Sequence, residues 1–178
     1  MRDTEAMTQR AERNRFVDQP DSFGWLSIAL HWVTAAIIVA LWIIGRSIVI
    51  QDSTEAIDAR RSVHIMIALS AWLLLLLRIV WRLRMHHPHA AGQSLFIHRA
   101  AQSVHYIMLV VLSLMMVSGP VMAWVSNETI TNLAYRIHAS SADVLLALVL
   151  LHVAGALKHM MFHEDDTIIR MLWPRRRP

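Results

Sequence analysis

The sequence predicts an all-α integral membrane protein, a four-transmembrane-helix up-down bundle, and three observations carry that prediction. The 178 residues are 56% hydrophobic and 17% charged, against about 45–50% and about 25% in soluble domains. Mean hydropathy is +0.42. Four stretches almost free of charge each approach or exceed the roughly 20 residues that cross a bilayer. This composition excludes a disordered chain and a disulfide scaffold. The absence of Cys also excludes thiolate metal sites, iron–sulfur clusters and covalent c-type haem.

The first span covers about 22–47, and Ser22 to Gly45 contains no Asp, Glu, Lys or Arg. It is too long, and lies too far behind a charged tail, for a cleavable signal peptide. The second covers about 62–83. Arg78 and Arg82 in its last turns reach the interface on long stems that snorkel. The third covers about 99–126, and its Gly119–Pro120 pair predicts a kink. The fourth covers about 136–162 and contains Asp143, an intramembrane acid and so a candidate for proton transfer. Residues 1–21 form a polar tail and 164–178 a basic one, flanking a 22–163 membrane domain. No internal repeat stands out. Short connections between such spans predict antiparallel neighbours.

Basic residues orient the bundle. Arg2, Arg10, Arg13, Arg15, Arg78, Arg82, Arg84, Arg99, Lys158, Arg170, Arg175, Arg176 and Arg177 fall on one side, and Arg46, Arg60, Arg61 and Arg136 on the other. Thirteen against four predicts cytoplasmic termini, with the basic tail near anionic lipid. It also assigns the net charge of +4 to membrane topology rather than to nucleic acid.

Eleven His without Cys is the unusual feature, because His is costly in a membrane. His138 and His152 are fourteen residues apart, which returns a helix to nearly the same face about 21 Å further along. His159 follows seven later on nearly the same stripe. Two stacked cofactors, one near each leaflet, would need such a shared helix. Two neutral imidazoles on one iron give a six-coordinate haem b suited to electron transfer, and bundle cores are where such groups are held. Matching depths pair His64 with His138 at the outer end. They pair His31 with His152 at the inner end, with His105 as a competitor to His31. Small residues flank these positions, among them Ala35, Ala68, Ser141 and Gly155. His86, His87 and His89 read as solvated loop residues, and His98 and His163 as interfacial. Arg60 and Arg61 share a face with His64, and Arg136 lies two before His138. They would pair with outer haem propionates or lipid phosphates, or attract an anion, although Asp52, Glu55 and Asp58 on the same loop oppose a simple anion funnel.

These residues, over roughly Phe23 to Trp173, resemble the bacterial cytochrome b561 family of di-haem membrane cytochromes. The carriers are Ile28-Ala29-Leu30-His31-Trp32, Val63-His64, Ser103-Val104-His105, Ile137-His138, Leu151-His152, Lys158-His159 and the closing stretch Asp165 to Leu172. The resemblance implies outer haem ligands His64 and His138 and inner ligands His31 and His152. It also implies a ubiquinone site beside the inner haem at His159, with His105 as a further contact. Some members of that family are similar to superoxide oxidases, which pass electrons from periplasmic superoxide to ubiquinone. One departure is that the loop Pro88 to Ser94 has no Lys, where relatives carry one, so Arg99 or a loop His would have to substitute. The resulting expectation is an inner-membrane oxidoreductase with two haem b groups, taking electrons from superoxide or a periplasmic redox partner. The rival readings are an anchor or carrier for a separate dehydrogenase or hydrogenase, and a metal-ion transporter, which would need more mid-membrane acids than Asp143.

Overall fold

A computed structural model describes residues 16–18, 23–84, 95–162 and 171–173. Among these residues the secondary structure is entirely helical: α1 (Trp25–Val49), α2 (Thr54–Arg84), α3 (Leu95–Trp124) and α4 (Glu128–Phe162). The chain divides into two compact units, one containing α1, α2 and residues 171–173, the other α3 and α4. In each, a link of a few residues (50–53 or 125–127) turns the chain back on itself, so each unit is a helical hairpin.

All four helices are long and apolar enough to cross a membrane. Within each apolar stretch only 11% to 22% of residues are buried, and Leu73, Val110, Val117 and Leu150 stand exposed. So much exposed apolar surface is unfavourable in water and suits lipid. What is buried follows helical spacing. Ala71, Leu75 and Ile79 form one stripe in the first hairpin, and Val111, Leu112, Met116, Ala134 and Leu145 line the second.

The helices extend beyond the expected spans on one side. α2 and α4 begin at Thr54 and Glu128 rather than near 62 and 136, because each starts on a capping side chain. Ser53 Oγ accepts the Ala56 N–H at 3.2 Å, and Asn127 Oδ1 accepts the Ile130 N–H at 3.1 Å, as N-cap residues do. Glu55 and Asp58, expected in a loop with Asp52, are therefore helical. Pro120 lies inside α3 only a turn from its end, and the helix continues through it to Trp124.

The head of α1 gathers segments from both sides of the chain. Asp18 accepts the Gly24 N–H and the Ser27 hydroxyl, each at 2.7 Å, placing a carboxylate where a helix N-terminus favours one. A Cβ on Gly24 would lie 2.5 Å from the Phe16 carbonyl oxygen, so only glycine lets residues 16–18 pack this closely. Trp81 Nε1 donates to Ser27 Oγ at 2.7 Å, tying the end of α2 to the start of α1. Trp32 Nε1 donates to the Met171 carbonyl at 2.7 Å, and Trp173 meets Trp25 edge-on with centroids 5.1 Å apart.

The expectation of no internal repeat is overturned. Both hairpins carry one pattern at a constant step of 74 residues: His31 and His105, Gly45 and Gly119, Ser53 and Asn127, His64 and His138. The helix starts Thr54 and Glu128 keep the same step. Between the marked positions, Leu, Ile, Val, Ala and Met exchange freely, because lipid and core require only that they be apolar. That exchange dilutes the repeat in the sequence.

Candidate functional site

The outer candidate ligands are each backed by a glycine of the preceding helix. A Cβ on Gly45 would lie 3.3 Å from His64 Cε1, and one on Gly119 would lie 3.5 Å from His138 Cε1. The missing side chain thus makes room for an imidazole against the helix backbone in both hairpins. On α3, Ser118 Oγ sits 3.1 Å from His138 Nδ1 and donates its proton to the Leu114 carbonyl at 2.7 Å. With that proton committed, Oγ accepts from His138 Nδ1–H, which places the ring's remaining lone pair on Nε2. This is the partner arrangement that orients metal-bound imidazoles.

At the other end the hairpins differ. His105 and His152 touch directly, with ring centroids 4.9 Å apart and planes at 63°. These two imidazoles are direct neighbours within the second hairpin. In the first hairpin, His31 packs edge-on against Trp32 and its Nδ1 lies 3.3 Å from Arg78 Nη2. Arg78 was expected to snorkel away. Its guanidinium instead lies half-buried beside a candidate ligand.

The remaining candidates are more dispersed. Arg60 Nη1 donates to Ser47 Oγ on α1 at 3.2 Å, and Arg61 pairs with Asp58 at 3.1 Å on an exposed face. Arg136 and Asp143 are exposed on α4. His159 lies in α4, but its side chain and that of His98 are outside the described residues, as are His86, His87, His89, His163 and the loop Pro88 to Ser94. Among the described residues, no three His, Asp or Glu gather to hold a bare metal ion.

The donor set suits a haem. Two glycine-backed imidazoles, one with its Nε2 presented by a hydroxyl partner, fit axial ligation. A Cβ at Gly155, three residues past His152, would meet no described atom within 4 Å, leaving space for an apolar ring. The model of the family described as prokaryotic cytochrome b561 matches residues 22–174. The chain belongs to that family. It is 24% identical to cytochrome b561 homolog 2 of Escherichia coli over 88% of this chain and 94% of the relative. It is 25% identical to cytochrome b562 of Cereibacter sphaeroides over 88% of this chain and 99% of the relative. As a prokaryotic cytochrome b561, the chain is a membrane-embedded b-type cytochrome that transfers electrons and binds haem b.

On sequence alone Gly45 and Ser118 carry no site role, and Gly119 carries only the expected kink at Gly119–Pro120. The signal that could have found the glycines is the shared fourteen-residue interval from His31 to Gly45 and from His105 to Gly119. Ser118 had no such signal, because its counterpart at the 74-residue step is Ile44.

Proposed function

We propose that this cytochrome b561 carries two haem b groups and moves electrons across the inner membrane, from periplasmic superoxide to ubiquinone near the cytoplasmic side. His64 and His138 are the outer axial ligands, and His31 and His152 the inner pair. The observation that carries this reading is the glycine-backed imidazole present once in each hairpin, His64 over Gly45 and His138 over Gly119. Two such positions supply the two axial bonds of one haem. The roughly 21 Å of helix from His138 to His152 supplies a second level. Haem b contributes a one-electron couple, whose potential the protein sets through ligand identity and hydrogen bonding.

The chain's own residues perform the rest. Arg60, Arg61 and Arg136 pair with outer haem propionates or attract an anion, with Arg61 offset by its pairing to Asp58. Two superoxide ions give up one electron each and leave as two oxygen molecules. Ubiquinone takes both electrons and two protons, with His105 and His159 as its hydrogen-bonding contacts and His159 passing protons from the cytoplasmic side. The thirteen-to-four division of basic residues supports cytoplasmic termini. Both tails packing at the head of α1 agrees with their sharing a side.

Stopped-flow mixing of purified protein with superoxide, with and without ubiquinone, tests the reading. The expected result is two haems per chain, fast haem reduction, oxygen release, and quinol formed only when quinone is present. A colourless folded protein removes the cofactor assignment. A two-haem protein that superoxide leaves oxidised removes the donor and points to a periplasmic redox partner.

A further inference from the structure

The layer next to the outer candidate ligands differs between the two hairpins. Arg60 lies four residues before His64, so the two share a face of α2. Ser47 lies two residues past Gly45 on α1. The Ser47 hydroxyl donates its proton to the Ile44 carbonyl at 2.7 Å, so its oxygen accepts from Arg60 Nη1 at 3.2 Å. A guanidinium is thereby held across the α1–α2 seam, one turn from His64 on the side of the link between the helices. In the second hairpin the same repeat step puts Ala134 and Val121 in these places. Ala134 is buried, as a seam position should be, and the layer there carries no charge.

The three outer arginines are therefore not equivalent. Arg61 is paired with Asp58 at 3.1 Å, which offsets its charge. Arg136 stands exposed on α4, and among the described residues no side chain holds it. Arg60 is held, and its partner is neutral. Ser47 fixes the guanidinium without cancelling its charge, and it occupies one of the five N–H donors that an arginine offers. The rest stay available to an anionic oxygen.

We infer that Arg60 is the anion seat of the outer end and that Ser47 is its positioning residue. The inference rests on the reading of His64 as an outer haem ligand. The chemistry recognised is an anionic oxygen beside that haem. A propionate of the haem supplies one, and so does a dissolved anion such as superoxide. A guanidinium binds either through charge-assisted hydrogen bonds. Ser47 matters because a long side chain loses conformational freedom when it binds, and one already held in place loses less. Asp52, Glu55 and Asp58 weaken any long-range funnel at this end, whereas a fixed cation acts at contact range.

The test uses the purified full-length protein and two readouts. One is a redox titration followed by haem absorbance, and the other is stopped-flow reduction by superoxide at low and high salt. The outer couple is the one missing from His138→Ala. A propionate seat predicts that Arg60→Gln raises the outer Fe(III)/Fe(II) ratio at fixed potential by about threefold or more, because a nearby cation disfavours Fe(III). A seat for the dissolved anion predicts a reduction rate lower by about threefold or more at low salt, with the deficit shrinking as salt screens the charge. Either shift supports the inference and identifies the source. Ser47→Ala keeps the charge and should give the same shift at smaller size, and Ser47→Thr, which keeps the hydroxyl, should reverse it. Arg61→Gln and Arg136→Gln should each shift the readouts less than Arg60→Gln does. Both readouts unmoved in Arg60→Gln overturn the inference, as do equal shifts in Arg61→Gln or Arg136→Gln. A lower thermal midpoint as the only change in Ser47→Ala overturns the positioning role. If Arg60→Gln sheds the outer haem, Arg60→Lys decides: retention supports a cation seat and loss overturns it. The ligand reading fails separately, if His64→Ala retains both haems. The donor reading also fails separately, if superoxide leaves the unaltered protein oxidised, and the titration then decides alone.

Discussion

At Gly45 and Gly119 the two hairpins are built alike. Each uses an absent side chain to seat an imidazole from the following helix, and each starts that helix on a polar cap. Fourteen residues beyond those imidazoles, α2 carries Arg78 and α4 carries His152. A duplicated hairpin naturally yields matching positions in both copies, such as the glycine-backed His64 and His138, which we propose as the outer ligands. A site that must differ from the outer one, in potential and in what it delivers electrons to, requires the copies to diverge. The comparison locates that divergence at the inner end, where His31 faces a cation and His105 faces another imidazole.

Substituting the histidines gives the largest test of this comparison. His64→Ala and His138→Ala are expected to behave alike, each losing the outer haem and half the total haem by pyridine haemochrome assay. His31→Ala and His105→Ala, although equivalent in the repeat, are expected to differ, with only the former losing haem. Equal loss in both would break the asymmetry at the inner end.

A smaller effect follows from one difference beside the outer imidazoles. Ser118→Ala removes the acceptor for His138 Nδ1–H, and its counterpart in the first hairpin is Ile44, which has no hydroxyl. Losing such a partner costs about 10–100-fold in affinity for a ligated metal. Haem retention during dilution should fall by at least the lower end of that range in Ser118→Ala and stay unchanged in Ile44→Ala.

The caps should match each other. Ser53→Ala and Asn127→Ala are each expected to cost about 1 kcal/mol, read as similar drops in thermal midpoint in detergent. A cost confined to one hairpin would show that the matching helix starts are not matched in energy. The smallest effect separates the glycines. Alanine gains about 0.5–1 kcal/mol over glycine within a helix. At Gly119 the new methyl finds an ordinary contact, whereas at Gly45 it comes within 3.3 Å of His64. Gly119→Ala should raise the midpoint slightly, and Gly45→Ala should leave it level or lower it.

The four spans were legible in the sequence because a charge-free apolar run of about 20 residues matches the thickness of a bilayer and is too apolar all round for a helix facing water. The two outer turns of α2 and α4 were hidden, because Glu55, Asp58, Arg60 and Glu128 are polar residues that a capped helix holds as readily as a loop. The histidine levels were legible from helical arithmetic on α4. The repeat was not, because only a few positions per copy carry chemistry and the rest exchange among apolar types. The contact of Arg78 was hidden because the sequence does not show which way a long side chain turns. Snorkelling and an inward contact with His31 require the same residue at the same depth.

The head of α1 has a consequence for the order of the chain itself. Residues 16–18 rest on Gly24 and residues 171–173 rest on Trp25 and Trp32, so the two tails arrive at neighbouring points. A circularly permuted gene, joined at these tails and opened between α2 and α3, would place the second hairpin first. Each hairpin would keep its own cap, glycine and histidine, and the basic residues would still alternate between the same two sides. Which hairpin the ribosome makes first is then a matter of ancestry, and the permuted cytochrome should insert and take up haem.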